Sequence, residues 1–97
     1  MSFLHDLEKF VGERSKAGTD ESYTARLFAE GTSRIRQKVG EEAVEVVLAC
    51  EQGPQAIREE SADLLYHLLV LWQAYGVTLT EIEDLMQERD RRKDQPK

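Results

Sequence analysis

Two acidic motifs carry the chemistry of this sequence: Glu41-Glu42-x-x-Glu45 and, beyond a Gly53-Pro54 break, Glu59-Glu60-x-x-Asp63 with His67 one turn further on. On a helix advancing about 100° per residue, Glu41, Glu42 and Glu45 share one stripe, and Glu59, Glu60, Asp63 and His67 share another. Ile35, Val39, Val46 and Cys50 flank the first stripe on one side, with Val44 and Leu48 on the other. The acids therefore lie between surfaces that both favour burial, whereas an ordinary solvated face sets its charges opposite the apolar stripe. In the second segment Leu64, Leu65, Leu68, Leu69, Val70, Leu71 and Trp72 leave the helix apolar almost all round, which suits the inside of an assembly.

The two motifs lie at similar distances from the Gly53-Pro54 turn, so an antiparallel hairpin would bring Glu42 and Glu45 opposite Glu60 and Asp63. At ~6 Å and an effective dielectric near 20, each ionised pair repels by roughly 3 kcal/mol, and several pairs require protons or cations. A divalent cation resolves the conflict. Oxygen-only ligands suit Mg²⁺ or Mn²⁺ better than Zn²⁺, which favours His and Cys. Either motif alone is common on solvated helices, and only their pairing argues for a metal site. Arg34, Arg36 and Lys38 precede Glu41 by one to two turns. They read either as surface ion-pair partners or, beside an acidic metal nest, as the cations that neutralise a polyphosphate. His67 reads equally as a contact to a carboxylate or phosphate and as a satisfied buried histidine. Tyr23, Phe28, Tyr66 and Trp72 read as core or interface.

The elements that must position these groups are all helical. Phe3, Leu7 and Phe10 predict a first helix capped by Ser2, ending between Gly12 and Gly18. Ser22 caps a short helix over 23–30 that Gly31 closes, and Thr32 or Ser33 caps the next, which carries the first acidic motif. The fourth helix covers 55–74 and stops at Gly76. Thr80 and Glu83 form a capping box for a last helix over 81–91. The expected fold is an all-α bundle with a central antiparallel hairpin, one domain over 1–91 and a flexible tail over 92–97.

Composition agrees. The 97 residues hold 40% hydrophobic and 33% charged side chains, too apolar for a disordered chain. Thirteen Lys and Arg against nineteen Asp and Glu give a net charge of −6, the wrong sign for general nucleic-acid binding. The longest apolar run, 64–72, is about half the roughly 20 residues a bilayer requires. The N-terminus lacks the apolar stretch of a signal peptide. Cys50, the single cysteine, reads as a small core residue in a reducing compartment, and the cytoplasm is the expected location.

Ser22-Tyr23-Thr24-Ala25-Arg26-Leu27-Phe28, Gly31, Arg34-Ile35, Lys38-Val39-Gly40-Glu41-Glu42-Ala43-Val44-Glu45 and Glu60-Ser61-Ala62-Asp63-Leu64-Leu65-Tyr66-His67 together resemble the phosphoribosyl-ATP pyrophosphohydrolase family. The likeness extends over about 3–89. The paired acidic motifs alone resemble the wider MazG-like, all-α nucleotide pyrophosphohydrolases, and the Ser-Tyr-Thr and Lys-Val-Gly-Glu-Glu blocks narrow the match. The resemblance implies Mg²⁺-dependent hydrolysis of phosphoribosyl-ATP to phosphoribosyl-AMP and pyrophosphate, the second step of histidine biosynthesis. It implies metal ligation by Glu42, Glu45, Glu60 and Asp63, with Glu41 and Glu59 near for a second cation or water activation. Arg34 and Lys38 would hold phosphates. Many members carry a fused cyclohydrolase domain with Cys and His zinc ligands. One cysteine and this length leave no place for it, so that activity is expected elsewhere. The segment 18–21 lacks the proline many members have.

The combined expectation is a cytoplasmic, at least dimeric enzyme with Glu41, Glu42 and Glu45 catalytic and Arg34, Lys38 and His67 on the substrate. The dimer follows from the apolar belt of the fourth helix. The alternatives are a MazG-like hydrolase of other nucleoside triphosphates and a non-catalytic helical dimerisation module.

Overall fold

The computed structural model describes residues 2–16 and 22–91. Five helices follow one another: α1 (Phe3–Arg14), α2 (Tyr23–Glu30), α3 (Thr32–Ala49), α4 (Pro54–Tyr75) and α5 (Leu79–Arg91), with no strand among the described residues. The all-α expectation holds. No helix among the described residues is long and apolar enough to cross a membrane. The segment 18–21, with its missing proline, and the flexible tail expected over 92–97 lie outside the described residues.

Local chemistry sets the boundaries. Ser22 Oγ accepts from the Ala25 amide at 3.0 Å, satisfying a donor at the start of α2, and Ser2 Oγ accepts at 3.4 Å from the His5 amide, which also donates to the Ser2 carbonyl at 3.1 Å. Gly31, at φ +99°, closes α2 and opens α3 at once. That reversal corrects the cap expected at Thr32 or Ser33: the glycine makes the turn alone, Ile35 N–H donates to the Gly31 carbonyl, and α3 has no side-chain cap. Gly76 sits in the left-handed region at φ +73°, its N–H on the Gln73 carbonyl and the Val77 N–H on the Trp72 carbonyl, a Schellman closure of α4.

Val11, Leu27, Ile35 and Val70 form the buried centre, one residue from each of α1 to α4, with Phe28, Tyr66, Leu71 and Ala74 packed around it. α3 and α4 make by far the most extensive helix pair, the expected hairpin. Cys50 is exposed, contrary to its reading as core. It lies just past the end of α3 in the turn, with Sγ directed back at the Val46 carbonyl. The apolar surface is also distributed differently from expectation. On α4 only Tyr75 is an exposed large hydrophobic residue, whereas Val44, Val47 and Leu48 of α3 are 57%, 67% and 55% exposed.

α5 starts two residues earlier than expected, and its capping box shifts with it. The Thr78 amide donates to Glu81 Oε1 at 2.8 Å and the Glu81 amide to Thr78 Oγ1 at 3.1 Å. The reason is tertiary: Leu79 is buried and its amide donates to Glu8 Oε2 of α1 at 2.8 Å, which fixes Leu79 in the first turn. Thr78→Ala is expected to lower stability by about 1 kcal/mol and Thr80→Ala by less than about 0.5 kcal/mol in urea denaturation. The reverse order would place the box at Thr80.

Candidate metal centre

The hairpin brings the two acidic stripes together across its interface. Glu42 of α3 and Glu60 and Asp63 of α4 each offer a carboxylate oxygen, and the three lie within 4.8 Å of one another. Glu42 and Glu60 are half-buried and Asp63 is exposed, so the cluster opens to solvent on one side. Glu45, one turn beyond Glu42, is exposed and outside this triplet, but its charge reaches Glu60. Burial first, and then the charges of Asp63, Glu45, Glu42 and Glu59, hold the Glu60 carboxyl above the ordinary glutamate value of 4.5.

Glu42 makes the conflict sharper. Its Oε2 lies 3.6 Å from Lys38 Nζ, while Oε1 is the one buried side-chain oxygen or nitrogen among the described residues without a hydrogen-bond partner. An unsatisfied carboxylate oxygen in a partly desolvated setting is costly, and a bound cation is a natural remedy. All donors in the cluster are oxygens, and Cys50 lies exposed at the turn. The residues present therefore fit a hard divalent cation.

The surrounding groups divide into those that reach the cluster and those engaged elsewhere. Lys38 Nζ spans Glu41 at 3.7 Å and Glu42 at 3.6 Å. Glu41, exposed, also accepts from Gln37 Nε2 at 2.9 Å. Arg34 pairs with Glu30 of α2 at 3.4 Å, and Glu59 accepts from Gln55 at 2.8 Å. His67, 6% exposed, has both ring nitrogens occupied: Nδ1 lies 2.7 Å from the Asp63 main-chain carbonyl and Nε2 lies 2.8 Å from the Tyr23 hydroxyl. The carbonyl can only accept, so Nδ1 carries the proton; in the neutral ring Nε2 then accepts from the phenol. This Tyr23–His67 link is what reading the residues one by one missed. From sequence Tyr23 reads as core or interface, and the Ser22-Tyr23-Thr24 block, part of the family resemblance, points to no partner for it.

Fold and cluster together define a class, an all-α protein whose central helix hairpin sets three carboxylates where they could hold a divalent cation. Residues 4–90 match the model of the family described as "Phosphoribosyl-ATP pyrophosphohydrolase", and the chain belongs to that family. Similar curated proteins include the "Histidine biosynthesis bifunctional protein HisIE" of Vibrio vulnificus (strain CMCP6), 52% identical over 90 residues, covering 92% of this chain and 43% of that protein. The protein of the same name from Photobacterium profundum is 52% identical over 88 residues, covering 90% and 42%. That of Vibrio cholerae serotype O1 is 50% identical over 90 residues, covering 92% and 43%. The chain thus spans less than half the length of these relatives.

The raised Glu60 carboxyl has a consequence for stability. The folded protein holds this proton more tightly than the unfolded chain does, so stability falls as pH rises from 4.5 through the raised value, then levels. Glu60→Gln removes that loss. In chelator, the stability of the variant relative to the parent is expected to climb across this window in urea denaturation between about pH 4 and about pH 8. A pH-independent difference would contradict the shift.

Proposed function

We propose that this chain hydrolyses phosphoribosyl-ATP to phosphoribosyl-AMP and pyrophosphate, the second step of histidine biosynthesis, in the cytoplasm and with Mg²⁺. The observation that carries the reading is the carboxylate cluster with its unpartnered Glu42 oxygen, found in a chain of this family. Glu42, Glu60 and Asp63 would hold the cation, with Glu45 completing the set from the open side. A bound Mg²⁺ supplies charge neutralisation for the phosphates and for departing pyrophosphate.

The residues of the chain do the rest. Lys38, already at Glu42, reaches toward phosphate oxygens at the mouth of the cluster. Arg34 joins it by exchanging its exposed Glu30 partner, a pair of the kind worth less than about 1 kcal/mol. Water attacks phosphorus at the α–β bridge in line, its proton passing to a carboxylate at the exposed edge, where Glu41 and Glu45 stand. The phosphorus–oxygen bond opposite the water breaks, and pyrophosphate leaves. No covalent intermediate is required.

A second copy of the chain completes this proposal. Val44, Val47 and Leu48 follow the i, i+3, i+4 spacing of one helix face, directly beside the acids of α3. Burying that face in a homodimer would remove apolar surface from water and wall the cluster on its open side.

Glu42→Gln is expected to lower phosphoribosyl-ATP turnover at saturating Mg²⁺ by more than about a hundredfold, because the change removes a metal ligand. Near-normal turnover would refute the assignment. Turnover of ordinary nucleoside triphosphates in preference to phosphoribosyl-ATP would instead favour the broader MazG-like activity. Sedimentation equilibrium on the same samples should read parent and variant alike as dimer or larger, and a monomeric parent would remove the second copy.

A further inference from the structure

Tyr23 combines an exposed ring with a tethered tip. It is 42% exposed, yet its phenol oxygen is tied at 2.8 Å to Nε2 of the buried His67. An exposed tyrosine with a free tip samples several rotamers and loses that freedom on meeting a ligand. Here the bond at the tip holds the ring, and its neighbours hold it further. The Tyr23 ring lies 5.7 Å from His67 in an edge-on contact at 81°, and 6.4 Å from Tyr66 at 28°. His67 is itself fixed by Asp63, whose main-chain oxygen accepts a hydrogen bond from Nδ1–H at 2.7 Å.

The result is a rigid aromatic surface open to solvent, separated from a residue of the acidic cluster by one imidazole and two hydrogen bonds. In a nucleotide one ribose separates the base from its nearest phosphate. A nucleotide with its phosphates at the cluster and its base turned toward α2 would meet this ring. Stacking on a preorganised ring favours affinity, since little side-chain freedom remains to be lost.

We propose that Tyr23 is the platform on which the purine base of the nucleotide stacks, and that His67 is a positioning residue that fixes this ring by accepting a hydrogen bond from its phenol. The proposal rests on the reading of the cluster as the phosphate site. It gives the chain a means of telling a nucleotide from a bare polyphosphate, a distinction the carboxylates and Lys38 alone do not make.

The test compares two probes in Mg²⁺ by calorimetry: inorganic tripolyphosphate, which lacks a base, and α,β-methylene-ATP, which carries one and resists cleavage. Tyr23→Leu is expected to weaken the nucleotide by about tenfold and to leave tripolyphosphate unchanged. Tyr23→Phe keeps the ring but frees its tip, and should lose less than the Leu variant. Tyr23→Trp, with a larger face, should bind the nucleotide at least as tightly as the Phe variant. Should the Leu variant fail to fold, the order of Trp and Phe decides the matter. Equal loss of both probes would make Tyr23 a structural tie between α2 and α4, and unchanged nucleotide binding would remove it from the site; either overturns the platform. A parent protein that binds neither probe overturns the phosphate-site reading and the platform with it, whereas one that binds both without the Tyr23 dependence overturns the platform alone.

Discussion

Mutual repulsion among carboxylates, brought together by the packing of α3 against α4, is the constraint around which the structure is arranged. Glu42 stands on α3 and Glu60 and Asp63 on α4, and the packing of these two helices holds the three carboxylates together while one side of the cluster stays open to solvent. Lys38 relieves one oxygen of Glu42 and leaves the other without a partner. The strain is visible at Glu60, whose carboxyl keeps its proton to higher pH than a free glutamate. Such a cluster opposes folding unless something cationic occupies it, so its persistence in a tightly packed hairpin makes physical sense as a binding site.

The remaining helices support that hairpin. α1 and α2 contribute Val11 and Leu27 to the centre that sets α3 against α4. α2 also carries Tyr23, which reaches across to His67, so one buried histidine links the short helix to the main chain of a cluster residue. α5 is tied to α1 by the Glu8 carboxylate on the Leu79 amide and by His5 Nε2 against Glu83 at 3.0 Å.

Helix order, the hairpin and the meeting of the two acidic stripes were legible because each depends on local chemistry or on one short turn. Ser2, Ser22, Gly31, Gly53-Pro54 and Gly76 mark boundaries by their own conformational preferences. What depended on distant residues was not legible. The start of α5 is set by Glu8, 71 positions from Leu79, and sequence spacing chose Thr80 where the fold uses Thr78. Cys50 followed the apolar periodicity of α3 but falls just past its last turn, where that periodicity no longer determines burial. The open apolar surface was assigned to α4 from its composition; α1 and α3 cover much of that helix, and the exposed stripe lies on α3 instead. The Tyr23–His67 bond joins residues 44 positions apart, and a single sequence offers no spacing rule for it.

If anionic side chains from both arms of the hairpin hold one cation, that cation lies between α3 and α4. Crystals grown with Mn²⁺ and measured for its anomalous scattering test this most directly. A peak between α3 and α4 in contact with Glu42, Glu60 and Asp63 is expected. A fully Mn²⁺-exchanged crystal with no peak there, or with Glu42 and Asp63 turned away from each other into solvent, would contradict it.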